Sequence, residues 1–179
     1  MFGTMTYRSL LFVPGAHPDR FDKAAGAGAD TIIIDLEDAV LPEDKDSARQ
    51  AALAWLSKRG ADVVAGLRIN SARSATGCAD IAALVASHGR PDFIMVPKAE
   101  TSIDMEIVSE ATDRIAPVIS VIESPRGLSN AFEIAGRSTG GVLFGGADYS
   151  ASLGADLSDW DGMITARGTI SAAAAGAGV

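Results

Sequence analysis

The chain has 179 residues, 47% of them apolar, enough to bury a substantial core in a single domain covering residues 1–179. A formal net charge of -8, without charge runs, argues against nucleic acid or an anionic membrane as the main partner. One cysteine, Cys78, excludes an internal disulfide; it reads as a small buried residue rather than a nucleophile. The start, M-F-G-T-M-T-Y-R, lacks an apolar core of signal-peptide length, and no stretch approaches a bilayer span, so a cytoplasmic location is expected.

In chain order, Ser9 to Val13 reads as a strand closed by Pro14-Gly15, and Pro18 to Ala27 as a helix opened by its proline. Thr31 to Ile34 gives a second strand, ending in Asp35, Glu37 and Asp38. Ser47 to Arg59 is a helix with Ala48, Ala51, Ala52 and Trp55 at helical spacing. A strand over Val63 to Ile69 reaches the surface near Arg68 and Asn70. A helix over Cys78 to Ser87, a strand over Phe93 to Val96 and a helix over Ser102 to Arg114, capped by Ser102, follow. The fifth strand precedes Glu123, the sixth spans Gly141 to Gly146, and a last helix runs from Asp161 to Ala175.

Six alternating units of roughly thirty residues indicate a parallel α/β architecture. A closed (β/α)₈ barrel needs eight units and about 250 residues. The expectation is the first six units of such a barrel rather than an open sheet, because an open sixth strand would leave an apolar edge unpaired.

The chemistry gathers at the strands' carboxyl ends, where parallel α/β proteins bind ligands. Val118, Ile119, Val121 and Ile122 form a β-branched run that stops at Glu123; a carboxylate buried there needs a cation or a strong donor. One unit later Asp148 reaches the same kind of position, and two such carboxylates suit a hard divalent cation that keeps waters and a substrate as its other ligands. Arg68 either grips the carboxylate of an acidic small molecule or pairs with Asp35 or Glu37 inside the rim. Gly145, Gly146 and Ala147 offer backbone N–H groups beside Asp148 as a cradle for the same anion.

Asp35 and Glu37 alternate to one side, with Leu36 on the other, and either acid would orient Arg68, Lys98 or a metal-bound water. Asp38 and Glu43 read as solvated. Lys98, among several carboxylates, should stay protonated and act electrostatically rather than as a Schiff-base nucleophile. Arg20 and Lys23, near a helix start, either attract phosphates or are simply solvated. His17 has no evident carboxylate partner, and His88 reads as structural.

R-S-L-L-F-V-P-G, D-T-I-I-I-D-L-E-D-A-V, L-R-I-N, V-P-K, V-I-E-S-P-R-G and G-G-A-D-Y-S-A-S-L-G, in this order from about Tyr7 to Asp156, resemble the citrate lyase β-subunit-like branch of the HpcH/HpaI aldolase family, which includes malyl-CoA and citramalyl-CoA lyases. The resemblance implies a trimeric or hexameric TIM barrel with Mg²⁺ (or Mn²⁺) held by Glu123 and Asp148. It implies that Arg68, helped by Gly146 and Ala147, binds the keto-acid carboxylate, that Asp35 and Glu37 form an inner acidic shell, and that Arg20 and Lys23 meet the CoA nucleotide. In the malyl-CoA lyase type a catalytic aspartate comes from a carboxy-terminal segment with no counterpart among these 179 residues. The expected activity is Mg²⁺-dependent carbon–carbon cleavage of a 3-hydroxyacyl thioester such as citryl-, malyl- or citramalyl-CoA. The alternatives are a metal-assisted acyl-CoA thioesterase and a non-catalytic subunit that binds CoA or metal.

Overall fold

The computed structural model describes residues 7–179, apart from the side chain of Trp160. The reading of the first six residues as free of a signal-peptide core therefore lies outside the described residues. Six strands alternate with helices: β1 (Leu10–Pro14), β2 (Thr31–Asp35), β3 (Ala65–Arg68), β4 (Phe93–Val96), β5 (Val118–Ile122) and β6 (Gly141–Phe144). All neighbours pair in parallel, and the spatial order β1-β2-β3-β4-β5-β6 repeats the chain order. A doubly wound open sheet would reverse its order at a switch point. This sheet never reverses; it is a curled half-barrel, and a closed eight-unit barrel is not formed by the described residues.

The helices are α1 (Phe21–Ala25), α2 (Lys45–Leu56), α3 (Ala75–Ala86), α4 (Ser102–Ala111), α5 (Pro125–Ser129), α6 (Ala131–Ala135), α7 (Gly146–Leu153) and α8 (Trp160–Ala177). Strand alternation sorts the core into two layers. Ile32, Ile34, Leu67, Ile94, Val96, Val118 and Ile122 face the helices, while Ile33, Phe93, Met95, Ile119 and Val121 form a smaller cluster on the concave side. Gly66 is register-paired with Phe93, and a Cβ at residue 66 would lie 2.1 Å from Phe93 Cε2. Gly66→Ala is therefore expected to destabilise the fold by about 1–3 kcal/mol through overpacking, read as a lower urea midpoint at unchanged slope.

Several boundaries differ from expectation for local reasons. The helix expected over Pro18 to Ala27 is a 3₁₀ turn, Pro18–Arg20, followed by the five-residue α1. Ser74, not a residue near Cys78, starts α3: its side chain accepts from the Gly77 N–H at 3.0 Å. Cys78 is exposed rather than buried, because the inward face of α3 is Gly77, Asp80, Ile81 and Leu84. Thr101 rather than Ser102 caps α4, in a reciprocal box with Asp104. The sixth strand stops at Phe144, since Gly145 already accepts from the Tyr149 N–H at 3.1 Å and opens α7, an element not expected from the sequence.

Candidate active site

The alternation that places Ile33 inside the half-barrel carries Asp35 and then Glu37 to the same side at its rim, while Leu36 joins the outer layer. Register sets Asp35 beside Arg68. Both oxygens of Asp35 are engaged: Arg68 Nε donates to Oδ1 at 2.7 Å and Nη2 to Oδ2 at 2.6 Å. Arg68 Nη1 also lies 3.2 Å from Glu37 Oε2, in an orientation that makes no hydrogen bond, so this buried oxygen has an electrostatic contact only. The internal ion pair read for Arg68 is formed with Asp35. Burial works against its charge, yet the Asp35 carboxylate holds the guanidinium above its ordinary pKa. Its plane lies over Phe12, 5.1 Å from the ring centre, a contact that sequence reasoning missed.

Glu123 is 6% exposed at the end of β5, and the Lys98 N–H donates to its Oε1 at 2.6 Å. The strong donor expected for this carboxylate is thus a backbone amide. Lys98 adopts φ 53°, a left-handed conformation uncommon for a residue with a side chain, and its backbone N–H and its ammonium serve different carboxylates. Its ammonium bonds Glu37 Oε1 and lies 3.4 Å from both Asp38 Oδ1 and Asp148 Oδ2. Burial pushes that amine down, but Glu37 above all pulls it up past its ordinary value, in line with a protonated, electrostatic lysine. Asp38, read as merely solvated, is exposed and yet within reach of Lys98.

Glu123 itself is pushed up to about 7, first by burial, then by the charges of Glu37 and Asp148, against the pull of Lys98. Asp148 reaches it from the first turn of α7, where helix geometry leaves N–H groups without intrahelical partners beside Gly146 and Ala147. Gly145 makes room: a Cβ there would sit 2.5 Å from Glu123 Oε2.

These groups share one cavity of about 280 Å³, bordered by Phe12, Arg68, Glu123, Gly146, Ala147 and Asp148. Among the described residues no three His, Cys, Asp or Glu side chains converge as a ready-made metal cage. Two carboxylates facing one cavity nevertheless fit Mg²⁺, which commonly takes one or two carboxylates and completes its shell with water and substrate.

Phe12 also borders a second groove, of about 480 Å³, with Leu11, Val13, Arg20 and Lys23. The structure thus gives the groove lined by Arg20 and Lys23 one residue, Phe12, in common with the acidic cavity. It does not set them at a strong helix start, because Arg20 belongs to the 3₁₀ turn and Lys23 to the last turn of the short α1. His17 and His88 are exposed and outside both cavities. Asn70, expected near the surface, is 6% exposed and bonded on all sides.

A parallel half-barrel whose carboxyl-end rim carries paired carboxylates, an arginine and a helix start has its polar groups at the face where α/β barrels place their sites. The HpcH/HpaI aldolase/citrate lyase family profile matches residues 8–179, and the chain belongs to that family. It is 32% identical over 190 residues to citrate lyase subunit beta of Escherichia coli (strain K12), covering 98% of this chain and 62% of that protein. It is 33% identical over 152 residues to a (3S)-malyl-CoA thioesterase of Cereibacter sphaeroides, covering 83% of this chain and 52% of that one. The protein CitE from Mycobacterium tuberculosis, crystallised with magnesium, acetoacetate and coenzyme A, superposes with a TM-score of 0.81 at 32% identity, over 94% of this chain and 62% of that one. The chain thus spans about half to two thirds of the length of these relatives.

Proposed function

We propose that this chain forms the catalytic half-barrel of a Mg²⁺-dependent carbon–carbon lyase acting on a 3-hydroxyacyl thioester of coenzyme A. The observation that carries the reading is the single cavity that joins Glu123 and Asp148 to Arg68 and the open end of α7. Glu123 and Asp148 would hold the metal, which would supply Lewis-acid withdrawal of electron density from the hydroxy-acid end of the substrate. Arg68, already oriented by Asp35, and the N–H groups of Gly146 and Ala147 receive the carboxylate. A base takes the hydroxyl proton, the carbon–carbon bond breaks, its electron pair passes into the thioester enolate, and protonation of that enolate completes the release of a keto acid and a shorter thioester. Lys98 keeps the acidic rim electrostatically tolerable throughout. The groove with Arg20 and Lys23 takes the nucleotide phosphates.

The name of the C. sphaeroides relative favours a second reading, in which water attacks the thioester and free CoA leaves with the hydroxy acid intact. Incubating malyl-, citramalyl- and citryl-CoA with the protein, with Mg²⁺ or with EDTA, separates the two. Metal-dependent release of a keto acid without free thiol is the expected result. Free thiol without keto acid would establish the thioesterase, and neither product with any substrate would sink both.

A further inference from the structure

Behind the acidic rim, on the helix side of the sheet, lies a polar network that touches neither cavity. Lys45, the first residue of α2, donates from Nζ to three acceptors: the Leu36 carbonyl at 2.7 Å, the Glu37 carbonyl at 2.6 Å and Asn70 Oδ1 at 2.7 Å. Asn70 is buried and donates from Nδ2 to the Leu36 carbonyl at 2.9 Å and to Asp80 Oδ2 at 2.7 Å. Asp80, 1% exposed on α3, also accepts from the Asn70 N–H at 2.8 Å and from Arg49 Nε at 2.6 Å.

Stability alone gives little reason for such a cluster, since well-packed apolar residues commonly replace a buried ionic group at no cost. Its geometry has one convergence. Lys45 and Asn70 meet at the two carbonyls that follow the end of β2: that of Leu36 accepts from both, and that of Glu37 from Lys45 alone. The side chain of Glu37 crosses the rim to Lys98 and Arg68. Turning the Glu37 peptide would swing the carboxylate away from both.

We propose that Lys45, braced by Asn70 and Asp80, is a positioning residue: by pinning the backbone of Glu37 it aims that carboxylate at Lys98 and Arg68 and so sets the anion-binding rim. The functional part of this proposal rests on the lyase reading; the geometric part does not. Lys45→Met, Glu37→Gln and the double variant of the full chain form a cycle whose readout is the affinity for oxaloacetate in the presence of Mg²⁺, by calorimetry. Each single variant is expected to bind about tenfold more weakly, as is usual when a group that orients a ligand residue is lost. The double variant should bind no more weakly than the weaker single, because both changes remove the same orientation. Lys45→Arg, which keeps a cation for the carbonyls, should recover part of the loss.

A merely structural Lys45 would lower the melting temperature and leave affinity intact, or give additive losses; either result overturns the proposal. A crystal structure of Lys45→Met supplies the arm independent of function. Glu37 should no longer contact Lys98, and Glu37 in its present place would refute positioning even if the protein cleaves no thioester. Should Lys45→Met not fold, Asn70→Ser enters the same cycle and the same structural test.

Discussion

Under the lyase reading, Glu123→Gln is expected to abolish Mg²⁺-dependent thioester cleavage, with a loss of about a thousandfold or more, because one of the two carboxylates proposed to hold the metal and the charge stabilisation it would support disappear together. The pH dependence of the unsubstituted protein gives the same group a second signature. In the metal-free protein Glu123 has its pKa raised to about 7 by burial and by the charges of Glu37 and Asp148. A carboxylate must be ionised to hold Mg²⁺. Below pH 7 the cation has to displace a proton, so apparent affinity should fall by up to about tenfold per pH unit, and it should be flat above.

Stability carries the opposite sign. A raised folded pKa favours the protonated form, so this contribution is fully present below the ordinary value of 4.5 and is lost as pH rises through about 7. The loss is on the order of 3 kcal/mol for a shift of this size. Metal-free protein should therefore melt lower at pH 8 than at pH 6, and Mg²⁺ should restore the difference at pH 8. Glu123→Gln cannot ionise at this position, so its metal-free melting temperature should exceed that of the parent at pH 8 and respond little to Mg²⁺. Calorimetric Mg²⁺ titrations at pH 6, 7 and 8, with thermal melts of both proteins, make the comparison. A pH-independent affinity would remove Glu123 from the metal site.

The parts of the fold that were legible in the sequence are those governed by near neighbours. Apolar β-branched runs ending in Asp35 and Glu123 identify buried parallel strands, and alternation alone puts Asp35 and Glu37 on one side with Leu36 on the other. What escaped is set by distant residues or by backbone geometry. Whether Arg68 meets a substrate or an internal partner depends on a contact across 33 positions, and the Lys98–Glu37 pair spans 61. Asp148 was expected on a strand end because Gly145-Gly146 looks like the tail of an apolar run. The chain turns there into α7, and the carboxylate arrives from a helix start instead. Phe12 carried no polar signal, and nothing in the neighbouring sequence marks Lys45 or Asp80 as partners of Asn70, from which they are 25 and 10 positions away.

Asp35→Ala is expected to cost about 3–5 kcal/mol, because it strands the Arg68 guanidinium in a half-buried position with its two best acceptors gone. Asp35 is 1% exposed, and beyond Arg68 it accepts from the Glu37 N–H at 2.8 Å and the Ala39 N–H at 3.3 Å, so the strand-to-loop turn loses its anchor too. A chain of this size should show a fall in melting temperature on the order of 10 °C. Adding Arg68→Met removes the unpaired charge and replaces it with apolar volume beside Phe12, so the double variant should regain part of the lost stability. It should not regain activity, since under the lyase reading Arg68 is the group that receives the carboxylate. Recovery will be incomplete because the two backbone donors stay unserved in both variants. Melts of the two single variants and the double, each paired with the malyl-CoA assay, separate the roles. Were Asp35→Ala to melt within a few degrees of the parent, the Asp35–Arg68 fork would not be what holds this rim together. Were the double variant to cleave thioester at the parental rate, Arg68 would be a structural cation only, and the carboxylate would have to be received by Gly146 and Ala147 alone.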